Sequence, residues 1–432
     1  MTNLAQHIQE TRLIDTHEHL GKEHEYVERA PDVLQDLFDN YITADLVVAG
    51  ASVEAVDRLV DSSDLDLRAR FEGVRAAWER CVHTGYGEAV RLIAERVYGM
   101  DEITPDGLEA ARARNVELYR PGERLRILRD IGCLDHVQVD DFRWACVPDA
   151  SGPDFFLYDL SWVGFCDGRF DPADIQREVA ITVEDLASLR TAMAAIFDKY
   201  GPCAIAVKAQ HAYHRTLLWH ERDDADAERV LQKLLVGQDL SEDERLCLGD
   251  WCWARGVELA TEHNLPFKIH TGYYAGHSRM PVDRIRSGHL SGLLAAYPRV
   301  RFVLMHIAYP YNNELVALAK HYPNVYVDMC WAWSIDPSTA CDFVRRMIHA
   351  VPANKLFVFG GDSFWPNASV AYAIQARRWL TRALQAEVDD GFLTEQQAIA
   401  FATRIMRTNQ EECFDLEGTR AAIRRAAAVI SP

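Results

Sequence analysis

The chain has 432 residues, of which 49% are hydrophobic and 26% are charged, a balance typical of a globular protein with a large core. Its 46 Lys and Arg residues stand against 65 Asp and Glu, so the formal net charge is −19, which repels phosphate backbones and anionic membrane surfaces. These values exclude disordered and fibrous architectures and argue against nucleic acid and membranes as partners.

The N-terminal residues MTNLAQHIQETRLID (1–15) contain no apolar stretch of the kind that directs export. Ten cysteines are too sparse in a chain of this length for a disulfide scaffold, and no apolar run approaches the roughly 20 residues of a membrane span. Cys247 and Cys252 lack zinc-finger spacing, so we expect them to be buried structural residues. The sequence therefore predicts a soluble, cytoplasmic protein with reduced thiols.

The first predicted strand is RLIDTHEH (12–19), whose apolar start gives way to polar residues at its C-terminal end. The stretch 24–125 follows it, is mostly helical in pattern and is too long for a loop. An insertion that leaves the end of the first strand of a barrel would lie over the barrel mouth, where it can cover a substrate. We therefore expect a helical insertion or cap here. A separate N-terminal domain is the alternative, although the strand that precedes the stretch argues against it.

Apolar runs alternate with amphipathic stretches in the rest of the chain, a pattern typical of βα units. The predicted strands are CLDHVQV (133–139), FFLYDLSWV (155–163), CAIAVKAQ (203–210), PFKIHTG (266–272), VRFVLMHI (300–307), VYVDMC (325–330) and KLFVFGGDS (355–363), with WACV (144–147) competing with the second, and helical patterns lie at about 242–263, 281–297, 312–321 and 337–350. Eight parallel strands predict an α/β fold, a single (β/α)8 TIM barrel over residues 1–432. An open doubly wound sheet is the alternative, but its typical G-x-G-x-x-G turn is absent.

Residue types that bind metals occur at the ends of several predicted strands. His17 and His19 flank Glu18, and the period of two places both imidazoles on one face of the first strand. Comparable positions on later strands hold Lys208, His270, His306 and Asp362. In a barrel these positions meet at the mouth, where barrel enzymes place their catalytic groups. Four imidazoles and a carboxylate at one point require a cation, so we predict a divalent metal; zinc suits these donors, with manganese, iron, cobalt or nickel as alternatives.

The loop HAYHR (211–215) follows a predicted strand and faces the expected pocket. It carries Tyr213 and Arg215, and Arg215 is a candidate to bind a substrate carboxylate through two parallel hydrogen bonds. A surface arginine, or one paired with Asp223 or Asp224, is the alternative.

Aromatic residues follow three of the candidate metal ligands. They are Tyr273, Tyr309 and Trp365, and we expect them to line the pocket. The alternative is that they pack against the insertion.

Five segments resemble the amidohydrolase superfamily, and within it the amidohydrolase-2 group of metal-dependent hydrolases that includes the N-terminal region of FluG-type proteins. They are IDTHEHL (14–20), AVKAQHAYHRTL (206–217), FKIHTGYYAG (267–276), FVLMHIAYPYNNELVALAKHYPNVYVDM (302–329) and LFVFGGDSFWPN (356–367). The order H-x-H, Lys, His, His, Asp is specific to the superfamily. The reaction is not, because this fold hosts hydrolases, deaminases, decarboxylases and isomerases.

The resemblance implies that His17 and His19 bind the more buried metal, and that Asp362 completes that site and takes a proton from the attacking water. His270 is implied as a further ligand. His306 either ligates a second metal or polarises the substrate of a mononuclear site. Lys208 either carries a CO2-derived carbamate that bridges two metals or, as an ammonium, holds an anionic substrate group. One or two metals per chain are therefore expected.

The function implied is that of a metal-dependent hydrolase of a small, carboxylate-bearing amide, ester or lactone, with water activated by the metal. A nonhydrolytic decarboxylase or sugar-acid isomerase on the same metal site is the first alternative. A noncatalytic binding module is the second. The substrate, the native metal and homo-oligomer formation stay open.

Overall fold

The structure is a computed structural model that describes residues 2–430, with the side chains of residues 2–426. Within these residues the backbone forms one sheet of eight parallel strands in the order β1-β2-β3-β4-β5-β6-β7-β8. The strands are β1 (Leu13–Glu18), β2 (Leu134–Val139), β3 (Phe156–Ser161), β4 (Ala204–Ala209), β5 (Phe267–Ile269), β6 (Phe302–Leu304), β7 (Val325–Asp328) and β8 (Leu356–Phe357). The predicted α/β class and TIM barrel are confirmed, and the competing segment 144–147 is irregular.

Backbone hydrogen bonds close the barrel between β1 and the segment after β8. Thr16 N donates to Phe359 O at 3.1 Å, and Asp362 N donates to His17 O at 2.9 Å. Asp362 has a φ of 56°, a left-handed conformation that costs a non-glycine residue about 1–2 kcal/mol. The strand predicted at 355–363 therefore ends early, and Asp362 reaches the mouth on a loop bonded to β1.

The strand predicted at 300–307 also ends early, at Leu304. His306, Ile307 and Ala308 have φ values of 61°, 47° and 50°, which no β-strand accommodates. His306 is consequently held on a turn beyond the strand rather than within the ladder.

One helix, α1 (Asn3–Glu10), precedes β1. The chain between β1 and β2 is mostly helical and forms α2 (Glu23–Arg29), α3 (Val33–Phe38), α4 (Ile42–Val48), α5 (Val53–Val60), α6 (Leu67–Glu72), α7 (Arg75–Cys81), α8 (Gly85–Tyr98), α9 (Pro105–Leu118) and α10 (Glu123–Arg126). Side-chain caps begin several of these helices: Ser52, Thr84 and Thr104 each accept a hydrogen bond from a backbone N–H of the first turn.

The remaining helices surround the strands. They are α11 (Val163–Cys166), α12 (Pro172–Val179), α13 (Leu186–Tyr200), α14 (Asp224–Leu235), α15 (Glu242–Glu262), α16 (Ser291–Ala296), α17 (Asn312–His321), α18 (Ala332–Ile335), α19 (Pro337–Ala350), α20 (Pro366–Asp389), α21 (Glu395–Thr403), α22 (Asn409–Cys413) and α23 (Leu416–Ile430). Two helices of this region are bonded to α20: Asn367 Nδ2 donates to Asp36 in α3 at 2.8 Å, and Gln375 Nε2 donates to Glu88 in α8 at 2.9 Å. Among residues 2–430 we find no helix with the length and apolar character needed to cross a bilayer.

The helix predicted at 281–297 is wrong over its first half. Two 3₁₀ turns, Val282–Ile285 and Ser287–Leu290, precede α16. Glu314 explains the break, because its carboxylate accepts a hydrogen bond from Gly288 N at 3.1 Å and pairs with the intervening Arg286.

The inner face of the barrel carries buried charges. The register aligns Ser161 with Lys208 and Lys208 with Lys268, so these side chains share one face, which Asp159 joins by the period of two. Lys268 Nζ donates to both carboxylate oxygens of Asp159, at 2.8 and 2.9 Å, and to Thr16 O at 2.8 Å. This ion pair, with both side chains fully buried, lies directly behind the end of β1.

Candidate metal centre

Three histidines and one carboxylate meet at the C-terminal mouth of the barrel. The Nε2 atoms of His17 and His19 each lie 3.3 Å from Asp362 Oδ1, and His306 Nε2 lies 3.9 Å from Asp362 Oδ2. His19 keeps 11% of its side chain exposed, whereas His17 and His306 are fully buried. The structure thus brings together the ends of β1, β6 and β8 as the sequence pattern predicts.

The far edges of two of these rings are fixed by backbone carbonyls. His19 Nδ1 lies 2.7 Å from Asp140 O, and His306 Nδ1 lies 3.0 Å from Cys330 O. A carbonyl only accepts, so in the neutral rings both Nδ1 atoms carry the proton and both Nε2 atoms present a lone pair to Asp362.

These lone pairs repel the carboxylate unless a proton or a cation lies between them. His306 Nε2 has no hydrogen-bond partner among the described residues. The ligand atoms of His17, His19 and Asp362 lie within 4.8 Å of one another, so this donor set fits a divalent metal.

The pKa shifts favour a neutral ring for His17 and His306 and an ionised carboxylate for Asp362. Burial lowers the pKa of His306 to about 4 and, with help from Lys208, lowers the pKa of His17 well below its usual value. Burial alone would raise the pKa of Asp362, but hydrogen bonds from protonated His17 and His19, together with the positive charges of His17 and His306, outweigh it and hold that pKa well below its usual range. In His19 burial lowers the pKa, but the hydrogen bond to Asp362 and the negative charges of Asp362 and Asp140 together outweigh it and raise the pKa, so protons and metal compete at this ring.

Lys208 lies inside this cluster, and His270 lies at its edge. Lys208 is 1% exposed, with its Nζ 3.3 Å from His17 Nε2. The His270 ring is 4.4 Å from the His306 ring, but its Nε2 lies 3.0 Å from Tyr273 O. In this conformation His270 can offer a metal only its Nδ1. Ligation by Lys208 and His270 stays a prediction.

The ion pair of Asp159 and Lys268 is a feature of the site that the sequence analysis missed. Asp159 Oδ2 lies 3.9 Å from His17 Nδ1, on the side of the ring away from Asp362. At this distance the carboxylate makes no hydrogen bond with the ring, but its negative charge faces the Nδ1 edge of a candidate ligand. The sequence does place one charged residue inside each of two apolar strands, Asp159 in β3 and Lys268 in β5. A barrel interior accommodates such charges only when they are paired, so this pattern could have predicted the ion pair.

Cys330 was also missed, because it closes the apolar run 325–330 and was grouped with that strand. It lies two residues beyond β7 and is buried. The ligand atoms of Cys330, His306 and Asp362 lie within 4.8 Å of one another. The structure therefore contains a second potential donor set that shares Asp362 with the first.

Aromatic rings form a wall beside His270. The Tyr213 ring is 4.6 Å from the His270 ring, and Tyr273 lies 5.8 Å from Tyr309. Trp331, which the sequence analysis did not single out, lies 5.9 Å from Tyr273 and is 2% exposed. Three of the predicted pocket aromatics are thus grouped on one side of the mouth.

Trp365 has a different environment. It is 5% exposed, and its Nε1 donates to Asp39 at 3.2 Å. This contact with the loop after α3 matches the alternative in which Trp365 packs against the helices between β1 and β2. The same region supplies Tyr41, whose hydroxyl donates to Asp362 O.

Two exposed phenylalanines flank His19. The Phe142 ring stacks on the imidazole at 4.6 Å, and the Phe364 ring lies at 5.2 Å. They are 50% and 51% exposed. The accessible side of the centre is therefore bordered by apolar rings.

Arg215 does not face the pocket, and its predicted role as a carboxylate clamp is corrected. It is 4% exposed and forms an ion pair with Asp250 at 2.5 Å. Its other N–H groups donate to the carbonyl oxygens of Cys166, Thr216 and Leu218. These bonds join α11, the loop of Arg215 and α15. The ion-pair partner is Asp250, and not Asp223 or Asp224 as the sequence suggested.

Residues 206–401 match the family model described as amidohydrolase, which confirms the resemblance seen in the sequence. The match covers β5–β8 and most of β4, so the second half of the barrel is similar to the amidohydrolases. The chain is 28% identical over 367 residues to the protein fluG of Emericella nidulans, an alignment that covers 80% of this chain and 38% of that protein. The chain therefore spans about two fifths of the length of this curated relative.

Two solved structures share the fold. A uronate isomerase from Thermotoga maritima has a TM-score of 0.78 at 14% identity, with 96% of this chain and 98% of that chain covered. A putative metal-dependent hydrolase from Lactobacillus casei has a TM-score of 0.62 at 17% identity, with 97% and 99% covered. At these identities the likeness concerns the fold alone.

Proposed function

We propose that the chain is a hydrolase that uses a divalent metal at the barrel mouth to cleave a small, carboxylate-bearing amide, ester or lactone. The observation that carries this proposal is the convergence of the Nε2 atoms of His17, His19 and His306 on the Asp362 carboxylate. The Nδ1 edges of His19 and His306 are already occupied by carbonyls, so their free lone pairs need a cation at the shared point. Zinc suits this set best, since nitrogen and oxygen donors predominate.

His17, His19 and Asp362 would hold the metal, which would supply an acidified water and polarise the substrate carbonyl. Asp362, which its low pKa keeps ionised, would accept a proton at its carboxylate from the attacking water. It would then return this proton to the leaving nitrogen or oxygen, so that the bond breaks without releasing a charged leaving group. Asp159, which is paired with Lys268, places a negative charge 3.9 Å from His17 Nδ1.

The carboxylate of the substrate needs a cationic partner other than Arg215. A cavity of about 590 Å³ lies between α4 and the loop after β5 and is bordered by Tyr273, Arg279 and Arg284. The Arg279 guanidinium lies over the Tyr213 ring, 6.0 Å from its centre, and that ring packs on His270. Arg279 thus provides positive charge next to the aromatic wall, in a protein of net charge −19, and we assign it to substrate binding.

The second candidate is a nonhydrolytic reaction, such as sugar-acid isomerisation or decarboxylation, on the same centre. The observation that favours it is the position of Lys208, whose Nζ lies 3.3 Å from His17 Nε2. An ammonium here repels a metal and would instead hold a substrate anion. A carbamate on Lys208 would bridge two metals and favour the hydrolase. Native mass spectrometry distinguishes the two, because the carbamate adds the mass of CO2 and is lost in Lys208→Ala.

The function is tested by metal analysis followed by a substrate panel in water enriched in oxygen-18. The panel contains N-acyl amino acids, lactones, aromatic acids and hexuronates, and products are identified by mass spectrometry and NMR. Hydrolysis inserts one labelled oxygen into a product, whereas isomerisation conserves mass and decarboxylation releases CO2. Turnover without incorporation of oxygen-18 from water would reject the hydrolase and support the nonhydrolytic reaction. Turnover that persists without any divalent metal would overturn both.

A further inference from the structure

Cys330 contacts His306 through two different groups. Its backbone oxygen accepts the Nδ1–H of His306 at 3.0 Å, and its Sγ lies within 4.8 Å of the ligand atoms of both His306 and Asp362. One residue therefore sets the tautomer of the imidazole through its backbone and places a sulfur beside the same His306 and Asp362 side chains. The Nε2 atom of His306, which this tautomer leaves without a proton, is fully buried and has no hydrogen-bond partner in the described part of the chain.

The loop after β7 holds this sulfur in place. Cys330 N donates to Asp328 Oδ1 at 2.8 Å, and Trp331 N donates to Gly360 O at 2.9 Å. A Cβ on Gly360 would lie 2.8 Å from Cys330 Sγ, so only a glycine at 360 leaves room for the thiol. The position of Sγ is thus fixed from both sides of the loop.

We propose that Cys330 is a thiolate ligand, and that His306, Cys330 and Asp362 form a sulfur-containing half of the metal centre that takes a thiophilic cation. This inference rests on the proposed metal centre and adds to it a donor of a different kind. The half formed by His17 and His19 offers nitrogen and oxygen only, whereas thiolate selects zinc, cadmium or cobalt over manganese and magnesium. On binding, the S–H bond breaks, the sulfur–metal bond forms and the proton leaves to solvent, with no change in oxidation state.

Cobalt(II) provides a direct test, since a thiolate ligand adds a sulfur-to-cobalt charge-transfer band in the near ultraviolet to the visible bands of the metal. We expect this band in the wild-type cobalt protein. We expect Cys330→Ser to lose the band and keep visible cobalt absorption from the other half. Cys252→Ser is the matched control, because Cys252 is also fully buried but lies in α15, and it should keep the band.

X-ray absorption on the wild-type zinc protein makes the test independent of how well the variant folds. A sulfur scatterer at about 2.3 Å from zinc is expected, in addition to nitrogen and oxygen at about 2.0–2.1 Å. In parallel, Cys330→Ser should lower cadmium affinity at least tenfold and leave manganese affinity unchanged.

The outcomes separate this inference from the proposed function. Bound cobalt or zinc without a sulfur signal would reject Cys330 as a ligand and leave the metal centre standing. A charge-transfer band that survives in Cys330→Ser would reject it as well. Failure of every metal to bind the wild-type protein would overturn the centre and the thiolate together.

Discussion

The barrel strands and the helices α2–α10 both reach the candidate metal centre, but they contribute different kinds of groups. The strand ends supply the donor atoms, with His17 and His19 from β1 and Asp362 from the segment after β8. The helical region supplies contacts that hold those donors, since Tyr41 donates to the backbone oxygen of Asp362 and Asp39 accepts from Trp365. The difference indicates that the barrel provides the metal ligands and the helical region holds them in place. Substitutions of the strand-end donors should therefore abolish metal binding, whereas substitutions in the helical region should only weaken it.

The largest effect is expected for the double variant His17→Ala with His19→Ala. It removes two of the converging imidazoles, so elemental analysis of protein grown in metal-replete medium should find the bound metal reduced to background. His136→Gln is the control, because His136 is also buried in the barrel but is paired with Asp135. Unchanged metal content in the double variant would show that the strand ends are not the metal site.

The next effect concerns the barrel interior behind His17. Asp159→Asn leaves Lys268 as a buried charge without its partner, which should lower the free energy of unfolding by about 3–5 kcal/mol. Adding Lys268→Met should restore much of this loss, because the uncompensated charge is then gone. Denaturant unfolding of the metal-free proteins measures both. Equal stability of Asp159→Asn and wild type would mean that the ion pair does not support β1.

Two arginines then separate substrate binding from packing. Arg279→Ala should lower kcat/KM on a carboxylate substrate by about 1.5–3 kcal/mol, the range for a charge-assisted hydrogen bond, with stability unchanged. Arg215→Ala should instead lower stability, because it leaves the buried Asp250 with Arg222 as its remaining ion-pair partner and removes three hydrogen bonds to backbone carbonyls. If Arg215→Ala lowered kcat/KM and Arg279→Ala did not, Arg215 rather than Arg279 would be the residue that binds the substrate carboxylate.

Metal affinity should depend on pH through His19. Its pKa is raised above 6.5 in the metal-free protein, and the protonated ring cannot ligate. Affinity should therefore fall about tenfold for each pH unit below that pKa, equivalent to about 1.4 kcal/mol, and level off above it. Titration of cobalt between pH 5 and about 9 measures this. A flat profile across neutral pH would exclude His19 as a ligand.

The smallest effect tests the helical side of the comparison. Tyr41→Phe removes the donor to Asp362 O, a residue held at a φ of 56°, and should weaken metal binding by about 1 kcal/mol, a fewfold change. Tyr26→Phe is the matched control, since it removes a comparable bond to Leu118 O at 2.9 Å within the same helical region. A similar loss in both variants would trace the effect to the stability of the helices rather than to the site.

Local pattern was sufficient for the barrel and for the main donors. Parallel strands with both faces covered read as short apolar runs, and side chains at their C-terminal ends must converge once the sheet closes. That reasoning predicted β1–β8 within a few residues and placed His17, His19, His306 and Asp362 together. It set the ends of β6 and β8 too late, because the positive φ values of His306 and Asp362 are imposed by bonds to other segments.

The partners of the buried charges were decided only by the tertiary structure. Arg215 and Asp250 are separated by a helix and a loop along the chain, so no spacing rule could pair them in place of Asp223 or Asp224. Asp159 and Lys268 meet across the barrel because the register of three strands points both inward. Cys330 lies beside His306 only because the loops after β6, β7 and β8 are bonded to one another. Local sequence therefore determined which residues lie at the strand ends that form the mouth. Long-range packing determined which charged residues form ion pairs, because an ion pair depends on distance in space and not on separation along the chain.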